Sequence, residues 1–174
     1  NAMLTASGMK FGYLKTLPHL IGIPLGHTIQ ISLTCLGLGS IFLKYPQIQF
    51  YMKIMCALYM LYLSWKMIGS FSINDKSSGR PLKFYEASLF QFINPKAWSI
   101  AIAVASGFFP TKENLLTGVI FVSFTAAIIC FPTISLWALF GNSLRKFVTN
   151  NKIKKMTEYI LSFILILTGI YILI

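Results

Sequence analysis

Long apolar runs alternate along the chain with short clusters of charged residues. Five of these runs are long enough to cross a hydrocarbon core of about 30 Å as helices, which rise about 1.5 Å per residue. They are span A, Leu17–Leu43; span B, Phe50–Phe71; span C, Tyr85–Phe109; span D, Leu115–Leu139; and span E, Tyr159–Ile174. The pattern predicts an all-α, polytopic integral membrane helix bundle that forms a single domain over residues 1–174.

Two of the spans contain features that predict departures from a straight helix. Pro132 predicts a kink within span D. In span A, Gly22 and Gly26 are four residues apart, a spacing that lets two membrane helices pack closely. Both features concern packing and carry no information about a ligand.

The composition supports a membrane location. Of the 174 residues, 56% are hydrophobic and 11% are charged, whereas a soluble domain has about a quarter of its residues charged. Cys35, Cys56 and Cys130 all lie in apolar stretches and lack the close spacing of a metal or redox site. We therefore expect the three thiols to pack between helices.

The basic residues predict the orientation in the membrane. The net charge is +11, and eleven bases lie before span A, between spans B and C, or between spans D and E, against three on the opposite face. The positive-inside rule places the first set in the cytoplasm, where anionic lipids attract it. Because these bases flank apolar segments instead of forming a basic surface with exposed aromatic rings, nucleic acid is excluded as a partner.

Asn94-Pro95-Lys96 interrupts span C and is the strongest candidate for a functional site. Proline removes a backbone donor and leaves carbonyls of the preceding turn without partners, which a membrane tolerates only in a buried or wet place. A mid-membrane lysine also requires water or a partner. Broken helices of this kind present backbone dipoles to substrates in transporters. The alternative is a helix that ends at Pro95 with Lys96 at the membrane surface.

Three further polar residues lie inside the apolar spans. Gln91 is three residues before Asn94 and therefore on the same helical face, where it either lines the cavity or bonds a neighbouring helix. His27, near Gln30, is a candidate for a proton relay because imidazole titrates near physiological pH. For His19, which follows Pro18, a position at the membrane interface is the expectation.

Enzyme signatures are absent from the sequence. It contains no H-E-x-x-H motif, Walker-type loop, dinucleotide fingerprint or G-x-S-x-G elbow. We therefore expect no catalytic residues, no metal and no cofactor.

Three stretches together resemble one family of membrane transporters. They are Leu4–Gly8 with Phe11-Gly12 and Thr16–His19; Ala57–Lys66, with Cys56 where the family has glycine; and Phe90–Trp98. Their order and spacing are similar to those of the LysE/RhtB amino-acid exporters. The resemblance implies six transmembrane helices arranged as a 3+3 inverted repeat, of which about five are present here.

The first helix of that family ends in a P-G-P-N motif, and Asn1 matches its last residue. This favours an N-terminally truncated fragment over the alternative, in which Asn1 and Ala2 are left from an expression tag.

The resemblance implies proton-coupled export of a small amino acid or related metabolite across the bacterial inner membrane by alternating access. The expected pathway residues are Asn1, His27, Gln91, Asn94, Pro95 and Lys96. The expected partners are the amino acid, protons and anionic lipids, with a homo-oligomer left open. No acid lies in the interior of a span, because Glu86 is only the second residue of span C, and this favours neutral substrates. The alternatives are a non-transporting membrane subunit, an inactive fragment and an embedded enzyme.

Overall fold

The computed structural model describes residues 1–38, 41, 44–68, 80–108, 114–147 and 150–173. Within these ranges the chain is helical and contains no strand, as predicted. Its helices are α1, Ala2–Phe11; α2, Tyr13–Leu33; α3, Pro46–Met67; α4, Phe84–Ile93; α5, Pro95–Gly107; α6, Leu115–Phe147; and α7, Asn151–Leu173. After α2 the chain continues through Thr34–Leu38, where it kinks at Gly37, whose φ is 105°.

The helices follow the predicted spans but differ from them at several ends: α3 begins at Pro46 and α7 at Asn151, before the predicted starts Phe50 and Tyr159. α2 begins at Tyr13, four residues before span A, and α6 continues to Phe147, past the predicted end of span D. Span C is divided into α4 and α5. Among the residues that the structure describes, three segments are long and apolar enough to cross a membrane: Tyr13–Leu38, Leu115–Phe147 and Lys155–Leu173. The predicted ends Leu43, Phe71, Phe109 and Ile174 lie outside the described residues.

A helix that the hydrophobic pattern did not predict precedes α2. The run in α1 is only 10 residues long and includes Lys10, so it is too short to be recognised as a span. Its residues Leu4–Met9 are nevertheless buried. Gly12, with φ 86°, makes the tight connection to α2 because glycine adopts positive φ without strain. The Asn142 side chain then accepts a hydrogen bond from the Tyr13 N–H (3.3 Å) at the start of α2.

Small residues bring two pairs of helices into close contact. Gly8 in α1 lies against the backbone of Ala138 in α6, and Gly141 lies against the backbone of Thr5. In the second pair, Gly22 and Gly26 of α2 face the backbone of α4. The packing role predicted for the Gly22-x-x-x-Gly26 spacing is therefore confirmed.

A third pair, α3 and α7, is joined by two serines. The Ser64 hydroxyl donates to the Ser162 carbonyl (2.9 Å), and the Ser162 hydroxyl donates to the Ser64 carbonyl (3.2 Å). Buried apolar side chains, among them Cys56 and Leu165, surround this contact. Cys56 and Cys35 are buried and unpaired, in keeping with the packing role expected of them.

Candidate functional site

The break between α4 and α5 is a consequence of proline chemistry. The ring of Pro95 disfavours the helical conformation for the residue before it, and Asn94 is extended, with φ −85° and ψ 107°. α4 therefore ends at Ile93 and α5 starts at Pro95. The Asn94 side chain accepts a hydrogen bond from the Lys96 N–H (3.1 Å) and so caps the new helix. The predicted interruption of span C is confirmed.

The backbone carbonyls near this break have replacement donors. Pro95 has no N–H to reach the Gln91 carbonyl, which instead accepts from Gln30 Nε2 of α2 (2.9 Å) and from the Asn94 N–H (3.1 Å). The Phe92 carbonyl accepts from the indole N–H of Trp98 (2.9 Å). These two carbonyls are therefore already bonded within the protein, contrary to the expectation that proline leaves them without donors.

Gln91 contributes to the helix contact through both its backbone and its side chain. It is buried, and its amide nitrogen donates to the Ala87 carbonyl one turn earlier in α4 (3.1 Å). Its backbone carbonyl is bonded to Gln30 on the neighbouring helix. The main chain of Gln91 is thus bonded to a neighbouring helix, and its side chain is bonded within α4.

The N-terminal ends of α1 and α5 lie near each other. Asn1, at the start of α1, lies within electrostatic range of Lys96 and of His19. Lys96 is exposed and lies in the first turn of α5, where side chains lean back toward the start of the helix. Because the first N–H groups of a helix lack intrahelical partners and carry partial positive charge, this region is electropositive.

Three polar atoms of α2 are buried and have no hydrogen-bond partner within the part of the chain that the structure describes. They are His19 Nδ1, His27 Nδ1 and Gln30 Oε1. His19, expected at the membrane interface, is only 3% exposed, and Gln30 is 0% exposed. Since buried polar groups in proteins are nearly always bonded, each of these atoms calls for an explanation.

Sequence reasoning did not assign roles to Gln30 and Trp98. In the sequence, Gln30 could be noticed as an uncharged polar residue within an apolar span. Trp98 could be noticed because it lies three residues after Pro95. Neither signal identifies the carbonyl that the side chain reaches.

Acidic side chains are placed elsewhere within the described ranges. Glu86 forms a two-point ion pair with Arg80 at the start of α4, with both N–O distances 2.6 Å. Glu158, buried in α7, is close enough to Lys10 for electrostatic attraction. Asp75 and Glu113 lie outside the described residues. No group of three or more His, Cys, Asp or Glu side chains that could hold a metal occurs in the described part of the chain.

Comparison with known proteins gives a family and several relatives. The family model for LysE type translocators matches residues 1–174. A cysteine/O-acetylserine efflux protein of Salmonella paratyphi A is 27% identical over 147 residues, which cover 84% of this chain and 75% of that protein. The protein of the same name in Escherichia coli (strain K12) is 26% identical, also over 147 residues that cover 84% of this chain and 75% of that protein. No solved structure matches the chain.

Proposed function

The chain belongs to the LysE type translocators, and on this basis we propose that it exports a small, neutral amino acid from the cytoplasm. Membership confirms that the chain is a membrane protein and a transporter, not an enzyme. Its relatives are named for efflux of cysteine and O-acetylserine, and these amino acids have uncharged side chains. We propose substrates of this size and charge, crossing a bacterial inner membrane that the chain spans several times.

The observation that carries the proposal is the position of Lys96 in the first turn of α5, within electrostatic range of the start of α1. Helix N-termini bind anions because their free N–H groups point outward and the helix dipole is positive there. An amino acid has a carboxylate in every case. We propose that this carboxylate binds between the two helix ends, where the ammonium of Lys96 attracts it and Asn94 keeps α5 in position.

The charges near the break favour a substrate with an uncharged side chain. A cationic substrate needs an acidic partner; of the acids in the described ranges, Glu86 is paired with Arg80, and Glu158 is close enough to Lys10 for electrostatic attraction. The positive charge near the break therefore favours a substrate that is attracted there through its carboxylate and has no charge on its side chain.

Alternating access and proton coupling complete the proposed mechanism. The extended Asn94 separates two short helices, so α4 and α5 can change their relative angle at that residue with few broken hydrogen bonds. His27, with a half-buried side chain near Gln30, is the proposed proton-carrying group because imidazole exchanges protons near neutral pH. The basic residues at the cytoplasmic ends of the helices bind anionic lipids.

Efflux measurements on variants test the proposal. Cells that express the protein are loaded with cysteine or O-acetylserine, and both are measured inside and outside. We expect Lys96→Ala and Asn94→Ala to reduce export at least about tenfold, since each loses a charged or capping interaction of about 1.4 kcal/mol or more. Lys146→Ala, which removes an exposed lysine at the end of α6, is the matched control and should export normally.

Membrane insertion of every variant is checked by fractionation. Normal export by both site variants would contradict the proposed carboxylate site. A wild-type protein that is inserted but exports no amino acid would contradict the proposed function and favour the non-transporting subunit.

A further inference from the structure

Gln30 and His27 both have a buried acceptor without a donor, and they are neighbours. They lie three residues apart on α2, a spacing that places side chains side by side on a helix surface. Their free atoms are Gln30 Oε1 and His27 Nδ1, for which the described ranges offer no partner. An unpaired buried acceptor destabilises the folded protein by about 1–3 kcal/mol. A ligand that donates a hydrogen bond to each of the two acceptors would offset this destabilisation.

The hydrogen bond to α4 determines which atom of the Gln30 amide is free. A backbone carbonyl can only accept, so the Nε2 group must face the Gln91 carbonyl, at 2.9 Å. Oε1 is the other terminal atom of the same amide, so it points away from the Gln91 carbonyl. Gln30 therefore presents an acceptor of fixed orientation beside the last turn of α4.

We propose that Gln30 and His27 form a subsite that binds the α-ammonium group of the substrate, an inference that rests on the proposed export of an amino acid. An ammonium group has three donors and no acceptor, as in lysine. Gln30 Oε1 accepts one of them, and His27 accepts another through Nδ1 in its neutral form with the proton on Nε2.

The position of the two residues agrees with the geometry of an amino acid. The ammonium and carboxylate groups of an α-amino acid are attached to the same carbon, so their binding sites must be adjacent. Gln30 is bonded to the carbonyl of Gln91, three residues before Asn94, whose side chain caps α5. Gln30 is therefore close to the break, and Lys96, which would attract the carboxylate, is two residues after Asn94.

The experiment compares an amino acid with an analogue that lacks the ammonium. Transport of O-acetyl-L-serine into inside-out vesicles is measured with increasing amounts of unlabelled O-acetyl-L-serine or of 3-acetoxypropanoate as competitor. A site built to bond an ammonium should prefer the amino acid by at least about 100-fold. We expect Gln30→Met, which removes the acceptor oxygen, to reduce that preference below about tenfold.

The control is Ser88→Ala, which removes another buried polar contact between α4 and α2, the 2.7 Å bond from the Ser88 hydroxyl to the Gly22 carbonyl. It should leave the preference unchanged. If Gln30→Met does not fold, His27→Ala carries the test, and the same competition is then measured as binding of O-acetyl-L-serine to the purified protein, which needs no proton transfer through His27; its preference should also fall.

The outcomes separate this inference from the proposed function. If the wild-type protein transports O-acetyl-L-serine and both Gln30→Met and His27→Ala keep the wild-type preference, the subsite is overturned while export stands. The free acceptors would then bind water alone. A wild-type protein that transports neither cysteine nor O-acetylserine would overturn the proposed function, and this inference with it.

Discussion

The contact between α2 and α4 leaves no room for a side chain at Gly26. A Cβ atom added there would lie 2.7 Å from the Ser88 carbonyl oxygen and 2.8 Å from Gln91 Cγ. Ordinary contacts begin at 3.4 Å. Because the nearest obstacle is backbone, Gly26→Ala would require the two helices to separate by the difference between 3.4 and 2.7 Å, about 0.7 Å.

This separation has an energetic and a functional consequence. Overpacking of this kind costs about 1–3 kcal/mol, and a chain of this size loses about 2–4 °C of melting temperature per kcal/mol. We therefore expect Gly26→Ala to unfold about 2–12 °C below the wild type. The same movement would stretch the 2.9 Å bond from Gln30 to the Gln91 carbonyl to about 3.6 Å, too long for a hydrogen bond. Export should fall as well.

Unfolding of the purified protein in detergent can be followed through its own thiols. Cys35 and Cys56 are buried, so a thiol-reactive dye reports their exposure as the temperature rises. Gly107→Ala is the matched control, since a Cβ there meets nothing within 4 Å. Its unfolding temperature should equal or slightly exceed that of the wild type. Equal unfolding temperatures for the Gly26 and Gly107 variants would refute the close-packing argument.

Two further predictions concern individual hydrogen bonds. Trp98→Phe leaves the Phe92 carbonyl without the indole donor at 2.9 Å and should cost about 1–3 kcal/mol in thermal unfolding. Trp137→Phe, at a 44% exposed tryptophan, should cost less, and a larger loss there would contradict the assignment. Ser64→Ala and Ser162→Ala should each cost about 1 kcal/mol. Their double variant should cost less than the sum because either loss loosens the same contact; strict additivity would show the two bonds to be independent.

The break and one helix contact could be predicted because each follows from local chemistry. Pro95 ends a helix wherever the rest of the chain lies, since the missing N–H and the ring clash are properties of the residue itself. The spacing of Gly22 and Gly26 likewise indicates a contact face without naming its partner. Both features were confirmed.

What sequence reasoning missed depends on residues that meet only after folding. The bond from Gln30 to the Gln91 carbonyl joins positions 61 residues apart, and a glutamine in an apolar run does not indicate which helix it will face. α1 was missed because a helix of 10 residues does not resemble a complete span. Its burial becomes apparent only with the contact of Gly8 against Ala138 of α6.

The hydrogen bonds at the break limit how it can recognise a substrate. If the carbonyls of Gln91 and Phe92 had no hydrogen-bond donors, they could themselves accept from an ammonium group, and no acceptor from α2 would be needed. They are occupied by Gln30 and Trp98, so the acceptors must come from side chains, of which Gln30 provides one with its remaining amide oxygen. In the proposed subsite, one glutamine both stabilises the broken helix through Nε2 and offers its unbonded Oε1 to the substrate. A change in the angle between α2 and α4 would then alter the helix break and the ammonium site together, which is the kind of coupling that alternating access requires.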